Sequence, residues 1–330
     1  MSTHEIRILS EQDVHAALPM RDAVEAMKDA FEQLSAAGVT MPTRAHINVE
    51  AHAGTALFMP SYSEALGRIA VKVVTLFDGN TRQGLPRLQG IVCLLDGRTG
   101  TPLALLNGTA LTALRTGAAS GAATDLLARP NATTAAIFGA GVQGRTQLQA
   151  LCAVRDIRKA WVYDPSEQAA AKFADDMGQT LSIDIAVASS SREALREADV
   201  VCTATVSATP VFDDSEVRPG THINAVGSYQ PHIQEIPAAT VCRALLVVDH
   251  RESVLAETGD LIIPIAKGLI TEAHIHTELG QLVAGNARGR TSDRQVTLFK
   301  SVGVAVQDLA AAARTVERAQ ADNLGTLVAL

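Results

Sequence analysis

Residues 134–164 constrain the fold of this chain more than any other stretch. An apolar run, Ala135-Ala136-Ile137-Phe138, leads straight into Gly139-Ala140-Gly141-Val142-Gln143-Gly144. Helix-forming residues follow, then a second short apolar run that ends in Asp164. The pattern is strand, glycine turn, helix, strand, acid. Each part answers a requirement of dinucleotide binding: Gly139 lets the strand turn sharply, Gly141 lets backbone approach a pyrophosphate, Gly144 lets the helix pack on the strand, and the helix N-terminus meets the phosphates. Glycines alone are weak evidence, because an unrelated α/β protein can carry a glycine-rich turn; the flanking strand, helix and acid supply the context. Asp164 also bears on cofactor type. A carboxylate accepts from a ribose 2′-hydroxyl and repels a 2′-phosphate, and Asp164-Pro165-Ser166 offers no lysine or arginine to receive one. The expected cofactor is NAD(H) in preference to NADP(H).

A length of 330 residues suggests two domains, and the chain is rich in alanine and poor in aromatics, as a globular protein with a sizeable core can be. A formal charge of −7 without a long basic run argues against a nucleic-acid or anionic-membrane partner. A small anionic substrate would then need a local cluster of cations. No N-terminal stretch combines a basic start, an apolar centre and a cleavage site, and no apolar run approaches spanning length, so a cytoplasmic protein is expected. Cys93, Cys152, Cys202 and Cys242 lack metal-ligand spacing; three of them appear in apolar strand-like runs, and all four are expected to be reduced core residues.

Along the chain, 6–9 reads as a strand, Ser10 and Asp13 can cap a helix, and 20–37 repeats apolar positions at helical spacing until Gly38 stops it. Strands are expected over 45–49, 55–60, 69–77, 90–95 and 102–106, the last two joined as a hairpin by Asp96-Gly97-Arg98-Thr99-Gly100, so a mainly antiparallel sheet precedes the glycine turn. Residues 109–128 are helical in propensity despite Gly117 and Gly121, whose bare backbone permits close approach. Downstream, the apolar runs 183–187, 199–204, 222–226 and 245–249 alternate with helical segments such as 191–198, the pattern of a parallel sheet. A long alanine-rich helix over 302–321 then returns to the first domain. The expected architecture is α/β: a Rossmann dinucleotide-binding domain over 119–304, and a discontinuous α+β domain made of 1–118 and 305–330.

Three cations stand out. Lys72, in Ile69-Ala70-Val71-Lys72-Val73-Val74, shares a strand face with Ala70 and Val74, so it needs either an anionic partner or, on an edge strand, a route to water along its stem. Arg44 stands just before a strand, and Arg115 interrupts a helix of apolar and small residues. A guanidinium can grip a carboxylate or pyrophosphate through two parallel hydrogen bonds; the alternative, an ordinary surface arginine, fits Arg44 better than Arg115, whose neighbours are apolar and small. His274 and His276 have strand-face spacing within a helix-like polar stretch and no third ligand nearby, so no metal is expected. Tyr229 and His232 belong to a loop after the 222–226 run. Loops at the carboxyl ends of parallel strands face the ligand crevice, so this one should approach the nicotinamide.

Taken together, Pro42-Thr43-Arg44, Val71-Lys72-Val73-Val74-Thr75 with Asn80, Ala113-Leu114-Arg115-Thr116-Gly117-Ala118, the glycine turn, Ile223-Asn224-Ala225-Val226-Gly227 and Ser301-Val302-Gly303 resemble the ornithine cyclodeaminase/μ-crystallin family over nearly the whole chain. The resemblance implies a dimer joined through the non-Rossmann domain, which would also bind substrate, with the substrate lying between domains. It implies that Lys72, Arg44 and Arg115 hold the substrate carboxylate, with Arg115 and Thr116 also near the cofactor pyrophosphate. The cofactor set expected on this basis is Gly139, Gly141, Val142, Gln143, Gly144, Asp164, Arg115, Thr116, Thr205, Val226 and Gly303. The sequence departs from the cyclodeaminase branch at Tyr229, where that branch carries an aspartate acid/base in Val-Gly-Gly-Asp; a tyrosine replaces neither its position nor its pKa.

The expected function is therefore an NADH-dependent reductase of an α-imino acid to the L-amino acid. Candidate substrates are Δ1-pyrroline-2-carboxylate, other cyclic ketimines, the imine of pyruvate and iminosuccinate. Lys72 would orient the substrate and donate or relay the proton. Two alternatives remain at this stage: a cyclodeaminase that recycles NAD and releases ammonia, and a non-catalytic NAD(P)H-binding protein of the μ-crystallin type, against which retention of all three cations counts.

Overall fold

The computed structural model describes residues 5–330, which form two compact units. One is built from the chain up to Arg115 together with Val304–Leu330, the other from Thr116–Gly303. The first unit opens with β1 (Glu5–Leu9), α1 (Glu11–Ala17), α2 (Met20–Ser35), β2 (Val39–Thr40), β3 (Ala45–Val49), β4 (Gly54–Ser63), β5 (Arg68–Phe77), β6 (Leu88–Asp96), β7 (Pro102–Asn107) and the first residues of α3 (Gly108–Leu127). The second unit contains the rest of α3, then β8 (Thr134–Phe138), α4 (Val142–Val154), β9 (Lys159–Tyr163), α5 (Glu167–Leu181), β10 (Asp184–Val187), α6 (Ser191–Leu195), β11 (Val200–Thr203) and β12 (His222–Ala225). It continues through α7 (Ala238–Arg243), β13 (Leu245–Val248), α8 (Arg251–Glu257), α9 (Gly259–Ala266), β14 (Ile275–Glu278), α10 (Leu279–Val283) and β15 (Thr297–Lys300), before α11 (Ala305–Ala321) and β16 (Thr326–Ala329) return to the first.

In the first unit the sheet runs β16-β1-β7-β6-β5-β4-β2, with β3 also paired to β4. All pairs are antiparallel except β1 with β7. Strand alternation sends Met59, Ala70, Val74, Val92, Leu94, Ala104 and Leu106 to one buried face. Helix α11 packs on β4, β5 and β6 and against α2, whose Ala23, Met27, Ala30 and Phe31 recur at helical spacing. Ser10 and Asp13 form a reciprocal capping box at the start of α1, worth about 1 kcal/mol. Gly38, expected to stop α2, does not take the left-handed conformation; Ala37 does, at φ 56°, and the Gly38 N–H donates back to Gln33. The glycine stands one position past the residue that closes the helix.

The second unit is a wholly parallel sheet in the order β10-β9-β8-β11-β12-β15-β13-β14. Its first five places follow the doubly wound order, with β8 first in the chain and the winding reversing between β8 and β11, where such sheets bind ligand. β15, which the apolar pattern did not reveal, sits between β12 and β13. Only Leu298 and Phe299 are apolar between Thr297 and Lys300, so the segment shows no apolar run. Other expectations are corrected in the same way. Cys152 and Cys242 lie on α4 and α7, so only Cys93 and Cys202 are strand residues; all four are free thiols and only Cys202 is fully buried. His276 lies on β14 and not in a helical stretch, because a single 3-10 turn ends at His274. The last long helix begins at Ala305, not Val302, since Gly303 adopts φ 76°. Among the described residues no helix is long and apolar enough to cross a membrane.

Candidate active site

Lys72 is not an edge-strand lysine. β5 is flanked by β4 and β6, Lys72 registers with Met59 and Val92, and the residue is 1% exposed. No route along the stem to water exists there, so an anion has to answer it. That anion is Asp308, on the buried face of α11, 2.7 Å from Lys72 Nζ. The other Asp308 oxygen accepts from Arg115 Nε at 3.1 Å, and Arg115 Nη1 donates to Gln307 Oε1, also at 3.1 Å. Gln307 is held in turn by the Val304 N–H at 2.8 Å. One buried carboxylate thus serves two buried cations, and Arg44 contributes a third positive charge that Lys72 feels.

The electrostatics follow from burial. Desolvation is the largest influence on Lys72, and with the Arg115 charge it lowers the ammonium to about 7 against the opposing pull of Asp308. Burial alone would raise the Asp308 carboxyl, but Lys72 and Arg115, by charge and by hydrogen bond, outweigh it and hold the group below its usual range. The cluster therefore keeps a fixed anion beside a buried amine whose hold on its proton is weakened, with two further guanidinium charges close enough for Lys72 to feel.

In the second unit the glycine turn shows why each glycine stands where it does. Gly139 adopts φ 100°, and a Cβ there would lie 2.5 Å from the Ala204 carbonyl in the loop after β11. A Cβ on Gly144 would lie 2.0 Å from the Gly139 carbonyl, so helix and strand could not approach. A Cβ on Gly141, by contrast, would meet nothing within 4 Å: the space in front of the α4 N-terminus is open to a ligand phosphate. Asp164, after β9, accepts from the Ala140 N–H and the Ser166 N–H, both at 2.9 Å, which fixes it beside the turn. Val142 and Gln143 begin α4. Thr116 on α3 is tied to α4 through its carbonyl, which accepts from Gln147.

Thr205, Val226 and Gly303 follow β11, β12 and β15 at the same carboxyl edge of the sheet. The hydroxyl of Thr205 donates to Glu235 Oε1 at 2.6 Å and accepts from the Ser207 N–H. The Gly303 N–H donates to Asp249 Oδ2 at 2.8 Å, and the Val226 N–H to the Thr203 carbonyl at 3.0 Å. Backbone carbonyls, methyls and the turn itself are thus what these residues leave for a ligand. Tyr229 and His232 lie in the loop after β12, and neither side chain hydrogen-bonds another described residue; among the described residues no group of three metal-ligating side chains exists.

Four buried carboxylates that organise this region escaped the sequence: Asp308, Glu235, Asp260 and Asp249. Each is buried at 1% exposure or less. Asp260 beside Gly259 and Asp308 within an alanine-rich helix carried a signal, whereas Glu235 and Asp249 carried none. Asp308 in Val306-Gln307-Asp308-Leu309 is the plainest, since an acid on the apolar side of an alanine-rich helix requires a buried cation.

Comparison with known proteins bears on this geometry. The family model described as the ornithine cyclodeaminase/mu-crystallin family matches residues 4–323. A Δ1-pyrroline-2-carboxylate reductase of Bacillus cereus is 41% identical over 319 residues, covering 96% of this chain and 98% of that protein. The solved structure of Thermococcus litoralis Δ1-pyrroline-2-carboxylate reductase in complex with NADH and L-proline superposes with a TM-score of 0.94 at 45% identity, over 97% of this chain and 99% of that one. An archaeal alanine dehydrogenase dimer with bound NAD gives a TM-score of 0.92 at 34% identity, over 98% and 99%.

Proposed function

The chain belongs to the ornithine cyclodeaminase/mu-crystallin family, and from that premise we propose that it is an NADH-dependent reductase of α-imino acids, with Δ1-pyrroline-2-carboxylate as first substrate and L-proline as product. The observation that carries this is the buried Lys72–Asp308–Arg115 cluster: two cations share one carboxylate, which leaves positive charge to receive the substrate's own. Bound NADH supplies a hydride to the C=N carbon. The protein must then hold the carboxylate, keep water out and place one proton on nitrogen. Arg115, with Arg44, holds the carboxylate. Lys72 Nζ, as ammonium, supplies the proton; its lowered affinity makes it a competent donor near neutral pH, and Asp308 keeps it oriented. Asp164 beside the glycine turn supports NAD(H) over NADP(H).

A homodimer through the first unit is part of the same proposal. The sheet face not covered by α2 and α11 carries Phe58, Pro60, Val71, Val73, Ile91, Cys93 and Leu105, which the strand register lines up side by side; Ile91 is 53% exposed and Ile47 on β3 54%. A continuous apolar face of this kind favours a protein partner, and a second copy of the same face is self-complementary.

The test is product analysis with NADH oxidation. Δ1-pyrroline-2-carboxylate should be reduced to L-proline faster than iminosuccinate or pyruvate with ammonia. L-ornithine with catalytic NAD should give no proline, since Tyr229 stands where a cyclodeaminase needs a carboxylate. Proline and ammonia from ornithine at a comparable rate would overturn the reductase assignment.

A further inference from the structure

We propose that Glu235 is a positioning residue that sets the nicotinamide half of the cofactor site and leaves the adenosine half alone. The inference rests on the assignment of NADH to the carboxyl edge of the second unit's sheet. Glu235 is 0% exposed, and its five described partners are all donors. Oε1 accepts from the Thr205 N–H at 2.7 Å and the Thr205 hydroxyl at 2.6 Å. Oε2 accepts from the Gly227 N–H at 2.7 Å, the Ser228 N–H at 3.1 Å and the Thr203 hydroxyl at 3.1 Å. One carboxylate therefore joins the loops that follow β11 and β12. A Cβ on Gly227 would stand 2.4 Å from Glu235 Oε1, so that glycine exists to admit the carboxylate.

The clasp is itself fixed. The Glu235 N–H donates to Asp260 Oδ1 at 2.7 Å, and Asp260 Oδ2 lies 2.9 Å from Lys300 Nζ, both residues fully buried. Burial, with the nearby Asp260 charge, raises the Glu235 carboxyl despite the pull of Lys300 and the Thr205 donors; a carboxylate ringed by five donors has no place for a proton among them, so the geometry favours the ionised form. With both oxygens occupied it cannot serve as the acid/base that Tyr229 fails to be. Its position relative to the sheet gives it a specific reach. The β11 and β12 loops lie on one side of β8, and Asp164, which marks the ribose of the adenosine half, follows β9 on the other.

The experiment compares two ligands. Glu235→Gln replaces an acceptor oxygen with an amide that faces donors, so the loops part while the glycine turn stays. Dissociation constants for NADH and for ADP-ribose, read by fluorescence and calorimetry, should separate: NADH weakened at least about tenfold, ADP-ribose changed by less than about threefold, with KM for NADH rising as its affinity falls. Thr205→Val removes one hydroxyl donor, keeps the carboxylate, and should give the same selectivity at about threefold; it decides the matter if the Gln variant does not fold. Parallel weakening of both ligands, or no change in either, overturns the proposal. A wild-type protein that binds NADH yet reduces no imine overturns the reductase assignment alone.

Discussion

Under the proposed function the two units would bind anions by opposite means. The second offers backbone: a glycine turn, a helix N-terminus and an open space in front of Gly141, with carboxylates such as Glu235 and Asp249 used to hold loops and not to meet ligand. The first offers side chains: Lys72 and Arg115, buried and fastened to Asp308. Backbone dipoles keep their polarity at any pH, whereas a buried amine does not. The backbone site should therefore be insensitive to pH and sensitive to Cβ atoms, and the side-chain site the reverse.

The largest test of that contrast is Lys72→Met, which keeps the apolar stem and removes the ammonium. Loss of the proton donor should lower kcat/KM for imine reduction by about 10²–10⁴-fold while NADH affinity stays near wild type. Substantial retained turnover would take the chemistry away from the first unit. Next is Arg115→Ala. Removing a charge-assisted pair costs about 1.5–3 kcal/mol, so efficiency should fall about 10–150-fold, chiefly in KM for the imino acid if the guanidinium holds the carboxylate. Near-wild-type kinetics in a folded variant would remove Arg115 from the site.

Asp164→Ser probes the second unit where a side chain does matter. The ratio of NADH to NADPH efficiency should shift toward NADPH by about tenfold, and a wild type that already prefers NADPH would refute the assignment. Gly144→Ala and Gly141→Ala divide packing from binding. The first forces a Cβ against the Gly139 carbonyl and should destabilise by about 1–3 kcal/mol in thermal unfolding. The second should leave unfolding unchanged and weaken NADH.

The smallest effect is the pH profile. Lys72 must be protonated to donate, and its affinity is lowered to about 7, so kcat/KM should be full below that pH and fall as pH rises through it. A bound substrate carboxylate favours the ammonium, so the corresponding limb in kcat should lie higher by about one unit. Lys72→Arg should abolish both limbs, whereas Glu235→Gln should leave them in place.

What the sequence determined is what is local. The turn at 139–144 and Asp164 lie within one strand-helix-strand unit, and the steric demands of glycine and the period of the strands reach only that far, so the dinucleotide fold and its acid were legible from residues alone. The alternation that put Lys72 on the face of Ala70 and Val74 was local too, and it correctly posed the question of a partner. The answer was not local. Asp308 comes from the last helix, which meets β5 only when the chain returns to the first unit, and the place of β5 inside its sheet decides that Lys72 is buried and not at an edge. Glu235, Asp260 and Lys300 are likewise acids and a lysine of no visible purpose until the fold brings the loop after β12, the start of α9 and the end of β15 together. Burial is what makes each of these charges costly, and burial is a property of the assembled chain; the partners that answer the cost could be seen only in the tertiary structure.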